Sequence, residues 1–339
     1  MPPIDPLASP SYVHDASKLQ YVESRFKNDR GKSMFYCAFF PPATSQVPLR
    51  GVVLFLHGIG EHSHRFTHVY EHLCANNYGV IAYDMTAHGR SDCDVEGVRG
   101  HGEKFQHFVD DTNRFLSVAK ENVIPRMLPA SSHGGALPPL IFMGISFGCL
   151  VGLHTILSGV HQFHAAVLAS PAISVEYTPI LRIMSVLSKS LSWLIPTAKI
   201  VPGVNFAGLC RDPAFVENYM ADPLNVTDNV TARMGEQAMT AMNALAANRT
   251  CEDPNSSFCA VSLLIVQGTG DIVTSVPLAR AFYNRIATKD KEFKEYKGLF
   301  HCIFNEPEKQ EVMDYITQWL DTRTSVPAPA MVAQIPSKL

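Results

Sequence analysis

The chain has 339 residues, 46% of them hydrophobic, and a formal net charge of −3. That is enough apolar mass for a sizeable core, and the balanced charge, with no Lys/Arg-rich run, gives nucleic acid no electrostatic purchase. No apolar run is long enough to span a membrane, and Met1-Pro2-Pro3-Ile4-Asp5-Pro6 has neither the basic region nor the apolar stretch of a signal peptide.

In chain order, residues 1–19 read as an irregular extension. Residues 21–26 and 34–40 alternate around Asn28-Asp29-Arg30-Gly31, which predicts a hairpin. The runs at 51–56, 80–83, 140–143, 166–169, 261–266 and 293–296 are short enough for strands, mostly of the kind buried on both faces. Helical stretches lie among them at 66–77, 104–120, 149–157, 276–287 and 307–320. Strands alternating with helices imply an α/β fold with a mostly parallel central sheet flanked by helices. Residues 125–139, rich in proline and glycine, read as a long surface loop.

The alternation breaks between 171 and 258, which predicts an inserted, mainly helical cap. The division is a core over 20–170 and 259–322, the cap over 171–258, and a flexible tail over 323–339. Within the cap, residues 179–196 are strongly apolar and carry only two charges. This stretch reads either as a core-facing helix or as a lid whose apolar face meets lipid or an acyl chain.

The most informative motif is Gly144-Ile145-Ser146-Phe147-Gly148. It follows the apolar run 140–143 and precedes a stretch of small and apolar residues. Strand, sharp turn, helix is the setting of a Gly-x-Ser-x-Gly nucleophile elbow. Side chains at 144 or 148 would collide with the neighbouring strand and helix.

A serine hydroxyl is a poor nucleophile unless a base takes its proton. With this elbow the expected chain order is serine, then acid, then histidine. His301 is the one histidine beyond His164, and it sits in a loop after a strand. Asp271 ends a strand that runs into Gly268-Thr269-Gly270; Glu252 and Asp253 follow no strand. The expected catalytic residues are therefore Ser146, Asp271 and His301. The tetrahedral intermediate needs two backbone donors. One is the N–H of Phe147, after the nucleophile; the other is assigned to Ile59, in the loop His57-Gly58-Ile59-Gly60.

His62, His64, His68 and His72 cluster beside Glu61 and Glu71. Zinc binding is one reading, but there is no His-Glu-x-x-His motif and no paired cysteines, and a solvated, histidine-rich helix is preferred. No metal and no cofactor are expected. The eight scattered cysteines read as reduced, mostly buried thiols. The four Asn-x-Ser/Thr sequons, at Asn225, Asn229, Asn248 and Asn255, read as coincidence without a signal peptide. The chain ends Ser337-Lys338-Leu339, a peroxisomal address read by an import receptor. A peroxisome or peroxisome-like organelle such as the glycosome is the expected location, with cytoplasm the alternative.

The run from His57 to Phe66 resembles the oxyanion loop of the monoacylglycerol lipase family of α/β-hydrolases. Further matches are Tyr83-Asp84, His88-Gly89-Arg90-Ser91, Val98-Arg99-Gly100, Leu168-Ala169-Ser170-Pro171, Tyr219-Met220-Ala221-Asp222-Pro223 and His301 with Glu306. The resemblance covers roughly residues 20–320. It implies an α/β-hydrolase that cleaves monoacylglycerol or a similar small lipid ester through an acyl-enzyme, without cofactor. It further implies that the cap forms the acyl tunnel, and that Glu61, Arg65 and Tyr219 line or support the glycerol end. Peripheral membrane contact through the cap is expected. The chain departs from the family at Ile145, Phe147, Ala87 and Phe304, which bears on headgroup preference and the pocket wall. The alternatives are a broader carboxylesterase or lysophospholipase with the same triad; more remote are a non-catalytic lipid-binding scaffold and a metal-dependent hydrolase.

Overall fold

The computed structural model describes residues 12, 14–15, 17–45, 47–128, 137–175 and 188–324. Ser337-Lys338-Leu339 and residues 179–187, the first half of the apolar stretch 179–196, lie outside the described residues.

Eight strands form one sheet: β1 Gln20–Lys27, β2 Ser33–Phe40, β3 Gly51–Leu56, β4 Tyr78–Tyr83, β5 Leu140–Ile145, β6 Ala165–Ala169, β7 Ser262–Gly268 and β8 Lys291–Tyr296. Their spatial order is β1-β2-β4-β3-β5-β6-β7-β8. The hairpin β1–β2 is antiparallel and joins β4 antiparallel. Every pairing from β4 through β8 is parallel. Both faces of a parallel sheet must be covered, so its central strands cannot alternate polar and apolar. Accordingly every residue of β3, β4, β5 and β6 is buried.

The covering helices are α1 Thr67–Ala75, α2 Phe105–Val118, α3 Phe147–Ser158, α6 Val276–Arg285 and α7 Lys309–Asp321. Two more, α4 Pro213–Ala221 and α5 Ala232–Ala247, lie in the insertion between β6 and β7. Two apolar clusters flank the sheet. One gathers Phe108, Phe115, Phe142 and Leu150; the other gathers Phe55, Tyr70, Val167 and Trp319. Each large apolar side chain buried this way contributes about 1.5–3 kcal/mol.

The expected strands and helices are all present, with ends shifted by a few residues. One boundary is corrected. Residues 125–139 are not loop throughout, because Ile124–Met127 continues the helical path after α2. Pro125 sits in the first turn there, where its missing N–H costs no hydrogen bond.

Parallel strands carry their carboxyl ends to one edge. The loops after β3, β5, β6, β7 and β8 therefore emerge side by side, which is where ligands bind in such sheets.

Candidate active site

Ser146 occupies the turn between β5 and α3 with φ 52° and ψ −121°, a backbone region that non-glycine residues avoid. The turn is held tightly. A Cβ at Gly148 would stand 2.3 Å from the Leu56 carbonyl oxygen and 2.6 Å from that of His57. One at Gly144 would stand 2.8 Å from the Phe142 ring and 3.2 Å from the Gly148 carbonyl carbon. Both expected collisions are present, and at 148 the obstacle is the end of β3, the neighbouring strand.

His301 and Asp271 come together as the order of residues predicted. His301 Nδ1 lies 2.9 Å from Asp271 Oδ2. The carboxylate is fixed in turn. Asp271 Oδ1 accepts from Val273 N at 2.8 Å and Thr274 N at 2.9 Å, and Oδ2 accepts from Thr274 Oγ1 at 2.7 Å. Burial pushes Asp271 up, but the His301 and Thr274 bonds outweigh it and hold the carboxyl below the usual carboxylate range. Asp271 therefore stays ionised facing the imidazole.

The end of β6, Ala169-Ser170, joins the Ser146 turn to the His301 loop. Ser146 N donates to Ala169 O at 3.0 Å, and Ser170 Oγ donates to His301 O at 2.7 Å. Ser170 is fully buried and strained, with φ 43°. Among the described residues no hydrogen bond joins Ser146 Oγ to the imidazole. Such bonds are often long before substrate arrives.

The loop expected to receive the oxyanion follows β3. His57 Nε2 accepts from Met85 N at 3.0 Å, so the ring proton resides on Nδ1, which donates to Gly58 O at 2.7 Å. Glu61 N also reaches Gly58 O, at 3.3 Å. The Gly58–Ile59 peptide is trans, so pinning its oxygen directs the Ile59 N–H to the opposite side. Among the described residues, neither Ile59 N–H nor Phe147 N–H is given to a backbone acceptor. Phe147 N–H is one of the free amides at the start of α3. Burial lowers His57 to about 4 and, with His57 beside it, lowers His88 to about 3. Both rings are neutral under the loop.

Glu61 is buried in the same loop, and its Oε2 accepts from Gly58 N at 3.2 Å. Burial raises its carboxyl above the usual range, and the nearby Arg65 and His301 only partly offset this. Tyr219, on α4, is buried with its hydroxyl facing Gly60. Arg65 reaches across to the insertion: Nη1 lies 3.1 Å from Asp222 Oδ2 and 3.2 Å from Asn218 Oδ1. Its guanidinium lies 5.0 Å from the Tyr219 ring centroid. Glu61 and Tyr219 thus stand by the loop, whereas the Arg65 guanidinium holds loop and insertion together.

The histidine cluster is corrected. It is not a solvated helix face. His62 bonds Asp222, His64 bonds Tyr21, His68 bonds the Phe304 carbonyl and His72 bonds Thr317. Four histidines therefore tie one segment to four different partners. Among the described residues, no three His, Cys, Asp or Glu side chains are grouped to hold a metal.

The sequence departures fall in the packing. The Phe147 ring packs edge-on against Phe108 at 5.4 Å, and Phe304 packs among Phe55 and Phe66. Sequence reasoning missed His57, Ser170, Thr274 and Glu306 as supports. His57-Gly58 and Ser170-Pro171 were visible as motifs, but a support is recognised by its partner, and the partners lie far along the chain.

A family model described as serine aminopeptidase S33 (Hydrolase_4) matches residues 47–308. A monoacylglycerol lipase of Mycolicibacterium smegmatis is 29% identical over 273 residues, 80% of this chain and 88% of the relative. The crystal structure of a Paleococcus ferrophilus monoacylglycerol lipase superposes with a TM-score of 0.65 at 25% identity, covering 90% of this chain and 99% of that one. A soluble variant of the Saccharomyces cerevisiae monoglyceride lipase shares the fold, with a TM-score of 0.75 at 21% identity over 93% of this chain and 98% of that one. The chain belongs to the serine aminopeptidase S33 family, Hydrolase_4, and is an α/β-hydrolase resembling the monoacylglycerol lipases.

Proposed function

We propose that the chain hydrolyses monoacylglycerol esters to fatty acid and glycerol through an acyl-enzyme. Ser146 Oγ attacks the ester carbonyl as His301 Nε2 takes its proton. Asp271 holds the imidazole by Nδ1 and stabilises its charged form. Ile59 and Phe147 N–H groups receive the oxyanion. The tetrahedral intermediate collapses, and His301 returns the proton to the departing glycerol oxygen. Water then attacks the acyl-serine by the same route in reverse. Glu61 and Tyr219 place polar groups near the oxyanion loop for the glycerol hydroxyls, with Arg65 supporting them.

The 2.9 Å His301–Asp271 pair on the same sheet edge as the strained Ser146 carries this reading. A fluorophosphonate probe and monoacylglycerols of graded chain length test it. Wild type should label once and release fatty acid, and Ser146→Ala should lose about five to six orders of magnitude in kcat. Full activity in that variant would refute the assignment. Headgroup profiling against simple esters and lysophospholipids tests the substrate class.

Two finer parts belong to the same proposal. The insertion exposes Trp193, Leu194, Ile195 and Ile200 beside Lys189 and Lys199, the composition of a surface that meets lipid. The peroxisomal reading of Ser337-Lys338-Leu339 rests on the motif alone. A reporter carrying the last dozen or so residues that stayed in the cytosol would contradict it.

A further inference from the structure

We propose that Glu306 is a positioning residue for His301, and that through it the insertion at 208–211 is clamped to the catalytic loop. The inference rests on the Ser146–His301 reading above.

Glu306 is a fully buried carboxylate that takes no part in the His301–Asp271 hydrogen bond. A buried charge is costly unless it is paired and its lone pairs are used. Here they are used on two segments at once. Oε1 accepts from Phe300 N at 3.0 Å, one residue before the catalytic histidine, and from Arg211 N at 3.1 Å in the insertion. Oε2 accepts from Arg211 Nε at 2.7 Å. The same two segments are joined along the backbone: Cys302 N donates to Leu209 O at 2.7 Å, and His301 N to Gly208 O at 3.4 Å. Cys210 Sγ reaches Asn305 O at 3.4 Å. Arg211 also pairs with Glu308.

The backbone of His301 is thus held from two sides. Ser170 holds its carbonyl from the sheet, and the strap 208–211 with Glu306 holds the amides at 300, 301 and 302. The base is placed partly by the insertion rather than by the sheet alone. Removing the carboxylate frees Phe300 N–H and leaves Arg211 tied to Glu308 alone, so the imidazole loses its fixed direction toward Ser146. A small misplacement at such a group is enough to lower turnover.

Glu306→Gln tests this. A carboxamide has one acceptor oxygen, so its NH2 must face either Arg211 Nε–H or the main-chain N–H groups. Full-length protein is titrated with a fluorophosphonate, and kinetics are measured on a soluble p-nitrophenyl ester. The labelled fraction at saturation should match wild type, while kcat and the labelling rate constant both fall about tenfold or more and KM moves less than about threefold. Wild-type kcat per labelled site, or activity lost only in proportion to the labelled fraction, would overturn the positioning role. Arg211→Gln, at a half-exposed side chain, leaves the carboxylate on Phe300 N–H and should lower kcat per labelled site about threefold. If Glu306→Gln does not accumulate folded, wild-type kcat in Arg211→Gln overturns the proposal. Ser146→Ala is run alongside. If it stays active, the triad reading falls; if it is inert while Glu306→Gln behaves as wild type, only the positioning role falls.

Discussion

The sheet edge and the insertion solve different problems with different surfaces. Strands β3 to β6 are buried throughout, and the loops at the edge, including that after β7, are pinned by short polar bonds such as His57–Met85 N and Asp271–Thr274 N. The insertion instead leaves Trp193 76% and Leu194 64% exposed. Its contacts with the edge include the polar pairs Arg65–Asp222, His62–Asp222 and Arg211–Glu306 and the backbone bonds Cys302 N–Leu209 O and Val226 N–Gly60 O. Precision is built where backbone is held on all sides; the insertion keeps part of its apolar surface outside and meets the edge through polar pairs, backbone bonds and a small apolar cluster of Leu209, Tyr219 and Cys302. A rigid edge suits the proposed nucleophile and base, and the apolar outer surface is the face proposed above to meet lipid.

The largest effect that could break this contrast is at the edge. Asp271→Asn should keep the fold but present the wrong hydrogen-bonding partner to His301 Nδ1, and kcat should fall about 10⁴-fold. A loss of less than about tenfold, measured on a soluble ester, would mean that the edge does not orient the base as described.

Acid stability comes next. Burial lowers His57 and His64 to about 4 and His88 to about 3, from an ordinary value of 6.5. The folded chain keeps them neutral while the unfolded chain protonates below about 6.5, so the unfolded state binds more protons. Stability is present above that value and is lost as pH falls toward 4, by up to about 1.4 kcal/mol per pH unit for each group. Thermal melts from pH 7 to pH 5 should show Tm falling. A flat profile would mean that these rings titrate freely and the edge is less tightly held.

The smallest expected effect lies in the insertion. Trp193→Ser should leave hydrolysis of a soluble ester within about twofold of wild type and weaken binding to phospholipid vesicles severalfold. Unchanged vesicle binding would remove the lipid-facing half of the contrast.

Much of this was legible in order along the chain. The eight strands, the elbow and the acid-before-histidine order follow from local patterns, because a buried parallel strand needs a short apolar run and a strained turn needs glycines. The supports were not legible. Ser170 and Glu306 work by bonding residues 131 and 95 positions away, respectively. The histidines at 62–72 read as a polar face because periodicity records spacing but not the strand, helix and loops that pack against the segment.

By itself the sequence determined which chemistry could exist: a serine in a glycine-flanked turn, one histidine late enough to serve it, and one acid at a strand end between them. Tertiary structure decided whether those groups meet and what holds them. A hydrogen bond depends on separation in space to within tenths of an ångström, and only the packed sheet, with the insertion strapped to its edge, sets that separation.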